Sequence, residues 1–326
     1  MKAVAQDEYG PTEALRVQEM DEPAAGPDQV LVRVRAASVN PADWHFMRGE
    51  PHIARLQAGL RSPKAAVLGC DLAGTIEAVG ASVQGFEPGD DVFGSPFMRG
   101  FGAFAELAAV PAEVLAHKPA DLSFAEAAAI PLAALTALQG LRDQAMVEAG
   151  QRVLIVGASG GVGTFAVQIA KAYGAEVTGV CSSDNVDLVR SLGADRVIDY
   201  TREKFTEGDE CYDLIFQLGG TATPGECRRL LTPKGTLVLS SGESTGRWIG
   251  PLGRVLRAIL LSPFVSQKLT SFTVKPNSDD LKELKRLVEA GQLKPVIGAT
   301  YSLAQAPEAI RQVEEGHSRG KVVIET

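Results

Sequence analysis

The residues best placed to do chemistry are glycines. Gly157-Ala-Ser-Gly-Gly-Val-Gly163 follows the apolar run Arg152–Val156 and opens a helical pattern from Thr164 to Tyr173. A strand, a glycine turn and a helix in that order make an anion site. Gly160 and Gly161 remove side chains where backbone must approach a diphosphate, and Gly163 lets the helix pack close to the strand. The helix start adds free amides and a positive dipole end. Ala158 stands where the dinucleotide fingerprint has its first glycine, so the motif is met in context rather than letter by letter. Twenty residues on, Glu176–Cys181 predicts a second strand, ending in Cys181-Ser182-Ser183. NAD enzymes place an acid there for the ribose 2′-hydroxyl. Two serines instead suit a 2′-phosphate, which favours NADPH. Asp184 would oppose that phosphate if it pointed inward, and is read as a cap for the helix from Val186.

A second set lies early in the chain. Asn40 offers an amide donor that could orient a ribose or polarise an acceptor oxygen, and Asp43 stands three residues on. A turn or helix-start role after Pro41 suits Asp43 equally well. His45, His52 and His117 are isolated. Cys70 and Asp71, as neighbours on a predicted strand, are expected to point to opposite faces, so no metal ligand set is expected. The four cysteines form no C-x-x-C pair, which suits reduced thiols, and no leader or spanning segment is visible in the first residues. A cytoplasmic protein is expected.

The elements that must hold these residues come in two styles. Val30–Ala36 alternates apolar and charged residues, Asp71–Val79 ends at Gly80, and Val92-Phe93, Ala103–Val110 and Val114–His117 complete a strand-rich first third. No helix of normal length is expected before residue 120. Ser123-Phe-Ala-Glu126 is a capping box. From there strands alternate with helices: Arg152–Val156, Glu176–Cys181, Asp195–Ile198, Asp213–Phe216 and Gly235–Ser240 predict a parallel sheet. Amphipathic helices at Lys282–Glu289 and Pro307–Glu315 and a strand at Lys321–Ile324 close the chain. With 326 residues, 45% hydrophobic and 22% charged, there is room for two cores, and a net charge of −8 argues against a nucleic-acid partner.

Together these segments resemble the medium-chain dehydrogenase/reductase superfamily, in its zinc-independent quinone oxidoreductase branch, near the subgroup of the reticulon-interacting mitochondrial oxidoreductase. The carriers are Ser38-Val-Asn-Pro-Ala-Asp43, Gly69-Cys-Asp-Leu-Ala-Gly74, Gly89-Asp-Asp-Val-Phe-Gly94, Ala129–Ala137, Leu192–Tyr200 and Gly316-His-Ser-Arg-Gly-Lys321. The resemblance implies an α/β fold, a Rossmann doubly wound parallel sheet plus a GroES-like β-rich catalytic domain. Its expected parts are 1–123, 124–276 for the Rossmann domain, and 277–326 returning to the first. It implies NADPH held in a cleft between domains. Thr136 is then expected near the nicotinamide, Ser159, Gly161 and Val162 at the diphosphate, Ser182 at the 2′-phosphate and Tyr200 near the adenosine. Leu218 and Gly219 would follow the fourth strand, Phe272 and Val274 would sit on the edge strand, and His317, Ser318 and Arg319 would close over the cofactor. Asn185 stands where many relatives have a lysine. The implied reaction is hydride transfer to a quinone, an enone or a similar small conjugated carbonyl compound, by a homodimer paired through Rossmann edge strands and with no membrane partner. A 2-enoyl thioester reductase and a non-enzymatic, crystallin-like NADPH binder are the rival readings. The apolar segment 250–264 is expected to flank the acceptor pocket or a dimer contact.

Overall fold

Alternation of apolar and polar residues builds the first unit. In the computed structural model, which describes residues 1–240, 253, 258, 262, 265–316 and 318–326, β1 (Lys2–Ala5) and β2 (Arg16–Glu19) pair antiparallel. β3 (Gln29–Val39) buries Val30, Val32 and Val34 and leaves Arg33 and Arg35 exposed. α1 (Pro41–Arg48) and a single turn α2 (Arg55–Ala58) follow, then β4 (Asp71–Val79), β5 (Asp91–Gly94), β6 (Leu107–Pro111) and β7 (Leu115–His117). α3 (Phe124–Ala128) opens with the Ser123–Glu126 capping box, and α4 (Pro131–Gln139) comes next.

The alternating part supplies β8 (Arg152–Val156), α5 (Gly161–Ala172), β9 (Glu176–Cys181), α6 (Val186–Ser191), β10 (Arg196–Asp199), β11 (Tyr212–Gln217), α7 (Pro224–Arg229), β12 (Leu231–Leu239) and β13 (Lys268–Ser271). The chain ends with α8 (Ser278–Glu289), β14 (Ile297–Ser302), α9 (Ala306–Glu314) and β15 (Lys321–Glu325).

Two compact units result: Met1–Leu135 with Lys275–Thr326, and Thr136–Val274. The division falls inside α4, twelve residues beyond the expected 123, because Ala128–Leu135 is packed into the first unit's interior and the Leu132 amide is tied to Asp71 at 2.8 Å. In the first unit a seven-stranded sheet runs β14-β15-β3-β4-β5-β7, with β6 on β3. Its core joins Val30, Val32, Leu72 and Phe104 to Ala306, Ala309 and Ile310 of α9. In the second unit every strand pair is parallel, in the order β10-β9-β8-β11-β12-β13. That is the Rossmann arrangement. Leu154, Val180, Ile215 and Leu237 fill one face of its core, each buried side chain contributing roughly 1.5–3 kcal/mol.

Two expectations need refinement. α1, only eight residues long, lies in a stretch where no helix of normal length is expected, and Asp43 takes the helix-start role there: Pro41 stands at its first position and the Asp43 carboxylate accepts from the Asn40 backbone amide. The edge strand β13 stops at Ser271, so Phe272 and Val274, both half-buried, lie past its end rather than on it. Most of the segment 250–264, and His317, lie outside the described residues. Among the described residues no helix is long and apolar enough to cross a membrane.

Candidate cofactor site and a buried polar cluster

The second sheet starts in its middle at β8, grows outward to β10, then returns to lay β11 against β8. The carboxyl ends of β8 and β11 therefore flank the switch point where open α/β sheets bind ligands. Gly157 leaves β8 with φ +88°, a conformation that favours glycine. The Leu218 amide donates to the Val156 carbonyl at 3.0 Å, and a Cβ on Gly157 would stand 3.4 Å from the Gly219 amide. Ser159, Gly160, Gly161, Val162, Leu218 and Gly219 are thus gathered at one place.

The glycines divide the labour. A Cβ on Gly163 would fall 2.0 Å from the Gly157 carbonyl oxygen, so α5 could not approach β8 with any side chain there. A Cβ on Gly160 would meet only that same oxygen, at 3.5 Å, so this position faces open space. Gly160 caps α5 with extended backbone and no side chain over its first amides. Those amides have no partner within the helix. An open cradle with uncapped donors fits a dinucleotide diphosphate.

Ser182 and Ser183 differ in what they can offer. The Ser182 oxygen accepts from Asn185 Nδ2 at 3.0 Å, which leaves its own O–H free to donate. Asn185, in the place of the family lysine, aims this hydroxyl. Ser183 instead donates to Asp199 Oδ2 at 2.5 Å and lies 2.9 Å from Thr201 Oγ1. The Ser183 bond, then Thr201, holds the Asp199 carboxyl below the usual carboxylate range. Asp199 therefore brings a negative charge to the strand ends, offset by Arg202 Nε at 3.3 Å. Sequence reading missed Asp199, since its partners come from a neighbouring strand and turn. Asp184 is exposed and does not cap α6: Asn185 is its N-cap, with a side chain that bonds Ser182 instead of the helix amides. Tyr200 is 54% exposed and lines a depression of about 680 Å³ with Arg202 and Lys204 that includes no residue of the glycine turn. Thr136 sits half-buried on α4. Ser318 and Arg319 belong to the first unit, where Ser318 Oγ donates to the Gln312 carbonyl at 3.3 Å and Arg319 is exposed.

Asn40 and Asp43 are corrected more deeply. Both are buried, at 4% and 0% exposure, inside the first unit. Asn40 Nδ2 donates to Asp71 Oδ2 at 2.8 Å and to the Ser38 carbonyl at 3.3 Å, and its Oδ1 accepts from Lys321 Nζ at 2.6 Å. No donor of this amide is left for a ribose or an acceptor. Asp43 Oδ2 accepts from the Asn40 amide at 2.8 Å, and Oδ1 from the Gly69 amide and the Cys70 thiol at 3.2 and 3.1 Å. Both side chains hold the fold. Cys70 precedes β4 in a bend, so it and Asp71 converge on one cluster instead of facing apart. Burial, reinforced by Asp71, pushes Asp43 up to about 7, against the pull of the Asn40 and Cys70 donors and of Lys321. Burial also raises Asp71 and lifts the Cys70 thiol well above its usual range, and it lowers Lys321.

Comparison with known proteins agrees with this architecture. The alcohol dehydrogenase GroES-like domain matches residues 26–120, and the zinc-binding dehydrogenase family matches residues 192–324. A zebrafish (Danio rerio) protein named NAD(P)H oxidoreductase RTN4IP1, mitochondrial, is 37% identical over 328 residues, 91% of this chain and 84% of that one. The Arabidopsis thaliana NADPH-dependent alkenal/one oxidoreductase, chloroplastic, is 33% identical across 99% of this chain and 79% of its own. The solved quinone oxidoreductase from Coxiella burnetii superposes with a TM-score of 0.86 at 30% identity, covering 100% and 99% of the two chains. The chain belongs to the medium-chain dehydrogenase/reductase superfamily, in its quinone-oxidoreductase-like branch. It is an oxidoreductase of the nicotinamide-dependent kind.

One matched family of the superfamily is described as zinc-binding, which raises the question of a zinc site in this chain. Among the described residues no three His, Cys, Asp or Glu side chains come together as a metal site. Where Asp43, Cys70 and Asp71 converge, the Lys321 ammonium lies 3.6 Å from Asp71 Oδ2 and burial lifts the Cys70 thiol well above its usual range. The donor set at this one place does not fit zinc.

Proposed function

We propose that this protein is a zinc-independent reductase that transfers hydride from NADPH to a small conjugated carbonyl compound, a quinone or an enone. The observation that carries it is the uncapped glycine cradle at the switch point, beside a Ser182 hydroxyl aimed by Asn185. Bound NADPH supplies the hydride. The chain's part is to seat the diphosphate on the α5 amides and the 2′-phosphate on Ser182. Conjugated acceptors take hydride without a Lewis acid, which suits a donor set that does not fit zinc. The reduced acceptor then gains a proton from water, so one hydride and one proton convert a quinone to a hydroquinone. The names carried by the Arabidopsis and Coxiella relatives support this substrate class. Among the described residues β13 ends its sheet, and pairing of two such edges suits a homodimer. Four cysteines outside any disulfide, three of them buried, suit the reducing cytoplasm.

The test is a parallel acceptor screen following NADPH and NADH oxidation with 1,4-benzoquinone, methyl vinyl ketone and crotonyl-CoA. Turnover of the first two with NADPH is expected. Oxidation with crotonyl-CoA alone would replace this reading with the thioester reductase. Tight NADPH binding without oxidation by any of them would leave a binder that is not an enzyme.

A further inference from the structure

One buried amide in the first unit has nothing to bond. Gln6, the residue after β1, is 2% exposed, and neither its Nε2 nor its Oε1 has a hydrogen-bond partner. Buried polar side chains are normally satisfied, so an orphan calls for an explanation. Gln6 lines a cavity of about 320 Å³ together with Phe46, Leu68, Met98 and Phe101. That volume sits at the lower end of those that hold small organic ligands. The wall is aromatic. The Phe46 and Phe101 rings lie 4.7 Å apart, and Phe97 meets each of them, at 6.3 and 6.2 Å. Lys64 and Met98, the latter 45% exposed, also line it.

We propose that this cavity binds the carbonyl end of an apolar, uncharged conjugated compound, with Gln6 Nε2 donating to the carbonyl oxygen and Phe46 and Phe101 holding the flat body. The proposal rests on the reductase reading for the identity of its occupant, but the site stands on its own residues. The amide presents two N–H donors and one acceptor, and a ketone or quinone oxygen takes one of those donors. The rings take a planar π-system by stacking or edge contact. Among the described residues Lys64 is the one charged residue of the lining and is exposed, whereas the buried donor is a neutral amide, which suits a neutral carbonyl oxygen. Gln6 is then a specificity-determining residue, since a site with a buried donor discriminates against a ligand that lacks the acceptor.

The test uses the full chain, with and without oxidised cofactor. The probes are 4-phenylbut-3-en-2-one and the hydrocarbon 1-phenylbut-1-ene, which has a similar shape without the oxygen. The wild-type protein should prefer the ketone by about 2- to 10-fold, the range for one neutral hydrogen bond. Gln6→Leu should abolish that preference and bind the hydrocarbon at least as well. Turnover of the ketone should show a raised KM with kcat kept, the signature of lost uniform binding. Gln6→Met provides a straight-chain replacement should the leucine variant fail to fold. In the wild-type protein, nuclear Overhauser contacts from the ketone to Phe101 and Met98 are expected. An undiminished ketone preference in both variants, or a bound ketone without those contacts, overturns the proposal. Active NADPH oxidation with unchanged variants would sink this site and keep the reductase. A Gln6-dependent preference without NADPH oxidation would do the reverse.

Discussion

Lys321 Nζ lies 2.6 Å from Oδ1 of Asn40, a residue 281 positions earlier in the chain. The same ammonium bonds the Val39 carbonyl at 3.1 Å and faces Asp71 Oδ2 at 3.6 Å, with 3% and 0% exposure for the two ionic side chains. The first residue of β15 thereby anchors the end of β3, the start of α1 and the start of β4.

Removing that ammonium should be costly. Lys321→Met leaves the Asp71 carboxylate buried with no opposite charge, and breaking a buried pair costs about 3–5 kcal/mol. Urea unfolding should show a loss of that order. Adding Asp71→Asn should recover part of it, since the stranded charge is gone. A single variant as stable as the wild type would mean that the pair contributes nothing.

Asn40→Ala should act on stability rather than on cofactor binding. It removes the bonds to Asp71, Ser38 and Lys321, and each lost hydrogen bond near a charge is worth about 1.5–3 kcal/mol. Thermal unfolding should fall by several degrees while the NADPH dissociation constant, read by fluorescence, stays put. A weakened dissociation constant at unchanged melting temperature would restore Asn40 to direct cofactor contact.

The glycine turn should separate folding from binding. Gly160→Ala adds a methyl where only the Gly157 oxygen lies near, at 3.5 Å, and its φ of −78° accepts alanine. Stability should change by less than about 1 kcal/mol, while cofactor affinity falls by at least about tenfold, because the methyl occupies the space a diphosphate needs. Gly163→Ala collides with that oxygen at 2.0 Å and should cost stability itself, by about 1–3 kcal/mol or more. Calorimetry with and without cofactor reads both effects.

Asp199 should set the balance between the two nicotinamide cofactors. Asp199→Asn removes a carboxylate that sits against Ser183. Removing its repulsion of a 2′-phosphate predicts a rise in kcat/KM for NADPH over NADH. Ser182→Ala should move the ratio the other way. An unchanged ratio in both variants would remove this end of β9 from cofactor choice.

Stability should depend on pH through Asp43. Its carboxyl is raised to about 7 in the folded protein by burial, from an ordinary value near 3.8. The folded state then holds a proton that the unfolded chain has released. The contribution of this group is full below about pH 4 and is lost as pH rises towards 7. Asp43→Asn should flatten the slope of unfolding free energy between about pH 4 and 7. A slope identical to the wild type would assign that window to other groups.

Local patterns made much of this legible in advance. The boundaries of β4, β8 and β9 follow from period and apolar runs, and the Ser123–Glu126 box marks the start of α3. What escaped was tertiary. α1 is only eight residues long and holds Trp44, His45 and Phe46, weak helix formers, so its signal is confined to Asn40-Pro41 and Asp43. Lys321 opens an apolar strand, a hint that a cation is being buried, but its partners lie far away in the sequence. Asp199 and Gln6 carry no local mark, because a hydrogen bond across strands, or the lack of one, has no period to read.

The place of β15 has a consequence for biosynthesis. It lies between β14 and β3, parallel to one and antiparallel to the other, within the first sheet. A nascent chain emerging from the ribosome can assemble the whole parallel sheet while the earlier one still has a gap beside β3. Only after residue 325 has left the exit tunnel does the slot fill, with Asp71 waiting without its countercharge until then.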